Sequence, residues 1–134
     1  MASTQAVYYR DRRGTEPVYE FLNTLAPKRR AKVADFVDVY LNGRSPEAPP
    51  VEFPITSQVD GELREMRVRF ARTRYRLLYQ RSGNLVVLLH GIEKNTGAIP
   101  REDIDIARQR MRDFASRMDS SPRVPPRAAG HDAP

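Results

Sequence analysis

Cysteine is absent from the 134 residues, which excludes a disulfide framework and a thiolate metal site. Histidine occurs only at His90 and His131, neither spaced against carboxylates as a ligand pair, so no metal site is expected. There is no glycine-rich phosphate loop and no nucleophile elbow. No cofactor is therefore expected. The longest apolar run, "LVVLL" at 85–89, is far short of a membrane span. The opening "MASTQAVYYRDRRG" lacks the apolar core of a signal peptide, so no membrane partner and a cytoplasmic location are expected. Lysine is scarce, at Lys28, Lys32 and Lys94 only.

Arginine takes its place. The net charge is +6, and Arg64, Arg67, Arg69, Arg72, Arg74, Arg76 and Arg81 concentrate it against the lone Glu65. Arginine keeps its proton at physiological pH, and its planar fork suits phosphate. Like charges opposed across a sheet are destabilising, so a bound polyanion, nucleic acid above all, is the expected compensation. The plainer reading is a solvated face that keeps the protein soluble.

The length suits one domain with a real core. "AVYYR" (6–10) reads as a strand. Thr15, Glu16 and Pro17 start a helix with Val18, Phe21, Leu22 and Leu25 on one face. Pro27 opens the next, with Val33, Phe36, Val37, Tyr40 and Leu41 as its stripe and Gly43 as its cap. Residues 44–60, with four prolines, read as loop. Strands follow at about 62–70, 74–81 and 84–91, then a helix over 100–118 burying Ile104, Ala107, Met111, Phe114 and Met118. Residues 119–134 read as a disordered tail by composition, leaving one domain over 1–118. The order β-α-α-β-β-β-α implies an α+β fold: helices on one face of a mostly antiparallel sheet, arginines on the other.

Side chains alternate along strands. A two-residue connection between the first two hairpin strands pairs Arg67 with Arg76; a four-residue loop pairs Arg69 with Arg76. Either puts Arg67, Arg69 and Arg76 on one face and Met66, Val68, Tyr75 and Leu77 on the other. His90 falls in the core if the following turn has two or four residues, the default, and beside Arg76 if that turn is a three-residue bulged one.

"PVYEFLNTL", "LREMRVRF", "YRLLY", "LLHGIEKNT" and "P..DI..A" (100–107) occur in order. Together they resemble the phage-derived HigB-like toxins of the RelE/ParE toxin–antitoxin superfamily, over about residues 7 to 115. The resemblance implies the RelE-like fold with a curled sheet and a C-terminal helix. It also implies a ribosome-dependent mRNA endoribonuclease, silenced by an antitoxin usually of the helix-turn-helix type. By position, Arg67 matches the arginine after the family's E-L pair, Arg76 that of Y-R-x-x-Y, and Lys94 the first lysine of K-K-T. Asn95 replaces the second lysine and Ile92 the usual aromatic residue.

Metal-free cleavage by a 2′-hydroxyl needs a base, a stabiliser of phosphoryl charge and an acid. Arg67 and Arg76, helped by Lys94, suit the second task. Glu65, His90, Tyr75, Lys94 or the ribosome must move protons. Glu65 also reads as simple relief of arginine repulsion. Arg64, Arg69, Arg72 and Arg74 are expected to bind RNA, and Arg76→Ala, read as loss of an exposed cation, to leave the protein folded. The rival readings are a ParE-like inhibitor of DNA gyrase and a degenerate module, of antitoxin or nucleic-acid-binding kind, that only binds a partner.

Overall fold

Two prolines start the first helices of the computed structural model, which describes residues 3–119 and 124–131. Pro17 and Pro27 stand in the first turns of α1 (Pro17–Asn23) and α2 (Pro27–Phe36), where a missing N–H has no intrahelical partner to lose. α2 continues as a π-helical turn, Val37–Leu41, with the Asn42 amide donating to the Val37 carbonyl. Gly43 then turns the chain at φ 70°, a conformation that costs glycine no Cβ clash.

The five strands are β1 (Gln5–Tyr8), β2 (Thr56–Asp60), β3 (Leu63–Phe70), β4 (Thr73–Ser82) and β5 (Leu85–Glu93), ordered β1-β5-β4-β3-β2. β1 runs parallel to β5, and every other pairing is antiparallel. This is the expected α+β, RelE-like architecture, with one added strand. The expectation of loop throughout 44–60 is corrected: the prolines end at Pro54, and Thr56–Asp60 beyond them pairs with β3.

The sheet carries an apolar layer on each face. On one, α1, α2 and the π-helical turn bury Val18, Leu22, Val33 and Val37 against Met66, Val68, Tyr75, Leu77 and Leu88. Packing there leaves no room at Gly91, where a Cβ would stand 2.5 Å from the Phe21 ring. On the other, α3 (Arg101–Met118) sets Ile104, Ala107, Met111 and Phe114 against Val7, Leu78, Val87 and Leu89. The arginines therefore do not own that second face. α3 lies over β5 and part of β4, and the cations hold the β3 side and the hairpin end.

Residues 124–131, placed by composition in a disordered tail, return along the free edge of β1. The Tyr8 amide donates to the Arg127 carbonyl at 2.9 Å and the Ala129 amide to the Ala6 carbonyl at 2.8 Å. Arg127 pairs with Glu16 at 2.7 Å and lies over the Tyr19 ring. That correction has a physical reason: composition is blind to an ion pair 111 residues apart. The rest of the expected tail beyond Asp119 lies outside the described residues. Among the described residues no helix is long and apolar enough to cross a membrane.

Candidate nucleic-acid interface

The β3–β4 hairpin turns in two residues, Ala71 and Arg72, and pairs Phe70 with Thr73, Arg69 with Arg74 and Arg67 with Arg76. Ala71 takes φ 55° to close it. Of the two registers compatible with the sequence, the tighter one is adopted. Two arginine pairs thus oppose each other across the ladder, on the face shared with α3.

Of the inner pair, Arg67 is half-buried and Arg76 is internal, as is Glu65 beside it. Arg76 is 2% exposed and Glu65 3%. One Glu65 oxygen meets the Arg67 guanidinium at 2.6 Å, and the other faces that of Arg76 at 3.7 Å. Arg67 also donates to the Pro54 carbonyl at 2.8 Å and the Ser57 hydroxyl at 2.7 Å, under the Phe53 ring. Arg76 Nε donates to the Lys94 carbonyl at 3.1 Å. Burial pushes the Arg76 pKa below its ordinary value; Glu65 opposes this, while Arg74 and Arg67 add to it. The reading of Arg76 as an exposed cation is corrected. A pleated surface exposes whatever nothing covers, and here Glu65 and the chain around Lys94 cover it. Removing its side chain would take one of two cations from a buried carboxylate and leave Glu65 paired with Arg67 alone.

The outer cations are different. Arg69 and Arg72 are exposed, and Arg74 and Lys94 are half-buried. No carboxylate among the described residues pairs with any of the four, whose neighbours' ion pairs lie elsewhere. The strand backbones fix their positions. The Lys94 amide donates to the Arg74 carbonyl at 3.0 Å, and the Asn95 side chain accepts from the Arg74 amide at 2.9 Å. Asn95 therefore tethers the loop after β5 to the hairpin instead of adding charge to it. Ile92 stands opposite Arg76 in the ladder and joins the apolar layer under α3.

Residues 20–112 match the model of a family described as "Phage derived protein Gp49-like". The chain belongs to this family. Gp49-like proteins are RelE/HigB-like toxins, and a specific HigB assignment does not follow. No protein of curated function matches the chain.

In this Gp49-like chain the other expected site residues scatter. Arg64 points to the helix face with Met66 and donates to the Thr56 hydroxyl at 3.0 Å, away from Arg67. Tyr75 is core, its hydroxyl accepting from Arg29 at 2.9 Å. His90 shares the face of Leu78 because Leu89 is an extra residue, a bulge, between the Leu78–His90 and Tyr79–Leu88 pairs. The turn before it has two residues, which alone would send His90 to the opposite face; the bulge restores it. Even so, His90 serves α3. Nε2 lies 2.7 Å from Asp103 and Nδ1 lies 3.0 Å from Arg110. Arginine can only donate, so Nδ1 accepts and the Nε2 proton points at Asp103. Sequence reasoning missed Ser57 and Phe53, which hold Arg67: Ser57 lies on β2, which carries no alternation that would have marked it, and Phe53 lies in the proline-rich run before that strand.

Proposed function

We infer that this Gp49-like protein is the toxin of a type II toxin–antitoxin module, and that it cleaves mRNA on the ribosome. The observation that carries the reading is the outer set Arg69, Arg72, Arg74 and Lys94, four cations at one hairpin end with no protein counter-charge among the described residues. Such a set binds a phosphate backbone in a salt-dependent way. Cleavage proceeds by attack of a ribose 2′-oxygen on the adjacent phosphorus. The P–O5′ bond breaks, a 2′,3′-cyclic phosphate forms and the 5′-oxygen takes a proton. Fixed guanidinium groups stabilise the charge that grows on the non-bridging oxygens. Arg67 and Arg76, held by Glu65, act as positioning residues that keep the outer cations in register. Of the groups considered for proton transfer, Glu65, Tyr75 and His90 are engaged within the protein. That leaves Lys94, or groups of the ribosome itself.

The antitoxin, expected to be a helix-turn-helix protein, covers the hairpin end. It does not need to displace α3, which is anchored by His90–Asp103 at 2.7 Å, Arg108–Asp60 at 2.6 Å and Tyr9–Asp113 at 2.7 Å. A second reading, a non-enzymatic inhibitor of DNA gyrase, draws on the engagement of Glu65 and His90, which removes the two readiest bases. Primer extension on mRNA from cells expressing the protein decides between them. Discrete cuts that vanish with Arg69→Gln and Arg74→Gln together are expected. Intact mRNA with inhibited DNA supercoiling would establish the rival.

A further inference from the structure

A second group of arginines lies on the opposite face of the sheet. Arg64 on β3 and Arg81 on β4 are diagonal neighbours, since Arg64 pairs with Tyr79. They share that face with Met66 and Leu77 and line a small recess of about 50 Å³. Arg44, from the loop after the π-helical turn, closes it from above together with Pro49 and Pro50. Tyr40 and Tyr79 supply aromatic walls.

Each guanidinium makes one side-chain bond: Arg44 to the Pro49 carbonyl at 2.9 Å, Arg64 to the Thr56 hydroxyl at 3.0 Å, Arg81 to the Gly83 carbonyl at 2.9 Å. No carboxylate among the described residues pairs with any of them. The Nε atoms of Arg64 and Arg81 are buried and meet no acceptor in the protein. Only Glu65 Oε2 shares that condition among the described residues, and it faces Arg76. A buried donor without a partner is destabilising, the more so when charged. Three like charges converging on a small, mostly apolar recess focus positive potential there and favour a small anion.

The geometry points to a binding site for a phosphate monoester in the recess between Arg44, Arg64 and Arg81. A dianionic phosphoryl group would fill the recess and neutralise the arginines through their terminal N–H groups, leaving the organic part of the ester at its mouth beside the tyrosine and proline walls. The site stands on the face opposite the hairpin cations, so it does not depend on how those act.

Calorimetric titration of the full chain at constant ionic strength tests this, with inorganic phosphate and adenosine 5′-monophosphate as probes and chloride as the balancing anion. Saturable one-to-one binding is expected, weakened at least about tenfold by Arg81→Gln and by Arg44→Gln. Arg44→Gln alters an exposed contact to the Pro49 carbonyl, so the test survives if Arg81→Gln misfolds. Tighter binding of the nucleotide assigns the apolar walls to its organic part; equal binding assigns the site to the free ion. Both outcomes uphold phosphoryl recognition. Absence of saturable binding up to millimolar concentrations would overturn it. So would binding lost in Arg69→Gln yet kept in Arg81→Gln, since that would locate the anion on the hairpin.

Discussion

Replacing Glu65 with glutamine removes one charge and almost no volume, so its effect isolates electrostatics. In the native protein this carboxylate lies 2.6 Å from Arg67 and 3.7 Å from Arg76, and only 5% of its side chain is exposed. Breaking a buried ion pair from one side costs roughly 3–5 kcal/mol, because the remaining charge stays desolvated. Arg67 escapes part of that penalty: its side chain is 17% exposed and keeps Ser57 and the Pro54 carbonyl. Arg76 is 2% exposed and keeps the Lys94 carbonyl. The lower end, about 3 kcal/mol, is the expectation. With a urea slope of about 2 kcal/mol per molar, the unfolding midpoint falls by about 1.5 M. Adding Arg76→Met to Glu65→Gln replaces the stranded cation with an apolar chain of similar reach. That double variant should recover at least about half the loss, since apolar replacements of buried pairs are often near neutral. A loss below about 1 kcal/mol, or a double variant no more stable than the single one, would refute the buried-pair account.

Tyr9 is 5% exposed and donates to Asp113 at 2.7 Å. Burial first, then that hydrogen bond, push its pKa up to about 12. A folded pKa raised above the unfolded one gives stability that is complete below about pH 10 and lost as pH climbs towards about 12. Urea melts across that window should show a fall of about 2–3 kcal/mol, partly flattened by Tyr9→Phe; an unchanged slope in the variant would exclude Tyr9 as the source. At acid pH the sign reverses for Asp113. Burial raises its pKa, but Tyr9 and Arg117 outweigh that and hold it below the usual range. Its contribution is therefore present above the unfolded carboxylate value and disappears as pH falls through the folded one, and Asp113→Asn should shift the acid limb of the unfolding curve while sparing neutral pH least. Gly91→Ala should cost about 1–3 kcal/mol by overpacking against Phe21. Phe21→Leu should restore part of it in thermal melts, and a melting temperature unmoved by Gly91→Ala would contradict the close packing.

The hairpin's faces were legible because both registers open to the sequence put Met66, Val68, Tyr75 and Leu77 on the helix face, which forces Arg67, Arg69 and Arg76 together on the other. The stripes of α1, α2 and α3 were legible for the same reason. What failed to show was whatever breaks periodicity or acts at long range. The bulge at Leu89 reverses the parity of His90 without any residue type announcing it. β2 is short and polar, "TSQVD", and sits behind prolines that read as loop. The burial of Arg76 depends on Glu65, a diagonal neighbour across the ladder, and on the backbone of Lys94, 18 residues away. The return of residues 124–131 depends on Arg127 finding Glu16. Charge alone predicts exposure, and pairing overrides it.

The most direct test of the unpaired hairpin cations is the affinity of the purified protein for single-stranded RNA as a function of salt. Each phosphate neutralised on a single strand contributes about −0.7 to the slope of log K against log salt. Removing three contacts with Arg69→Gln, Arg72→Gln and Arg74→Gln should make the slope shallower by about 2 units, with stability changed by less than about 1 kcal/mol. A triple variant that folds and binds RNA with the native affinity and the native slope would contradict the assignment of this face to RNA.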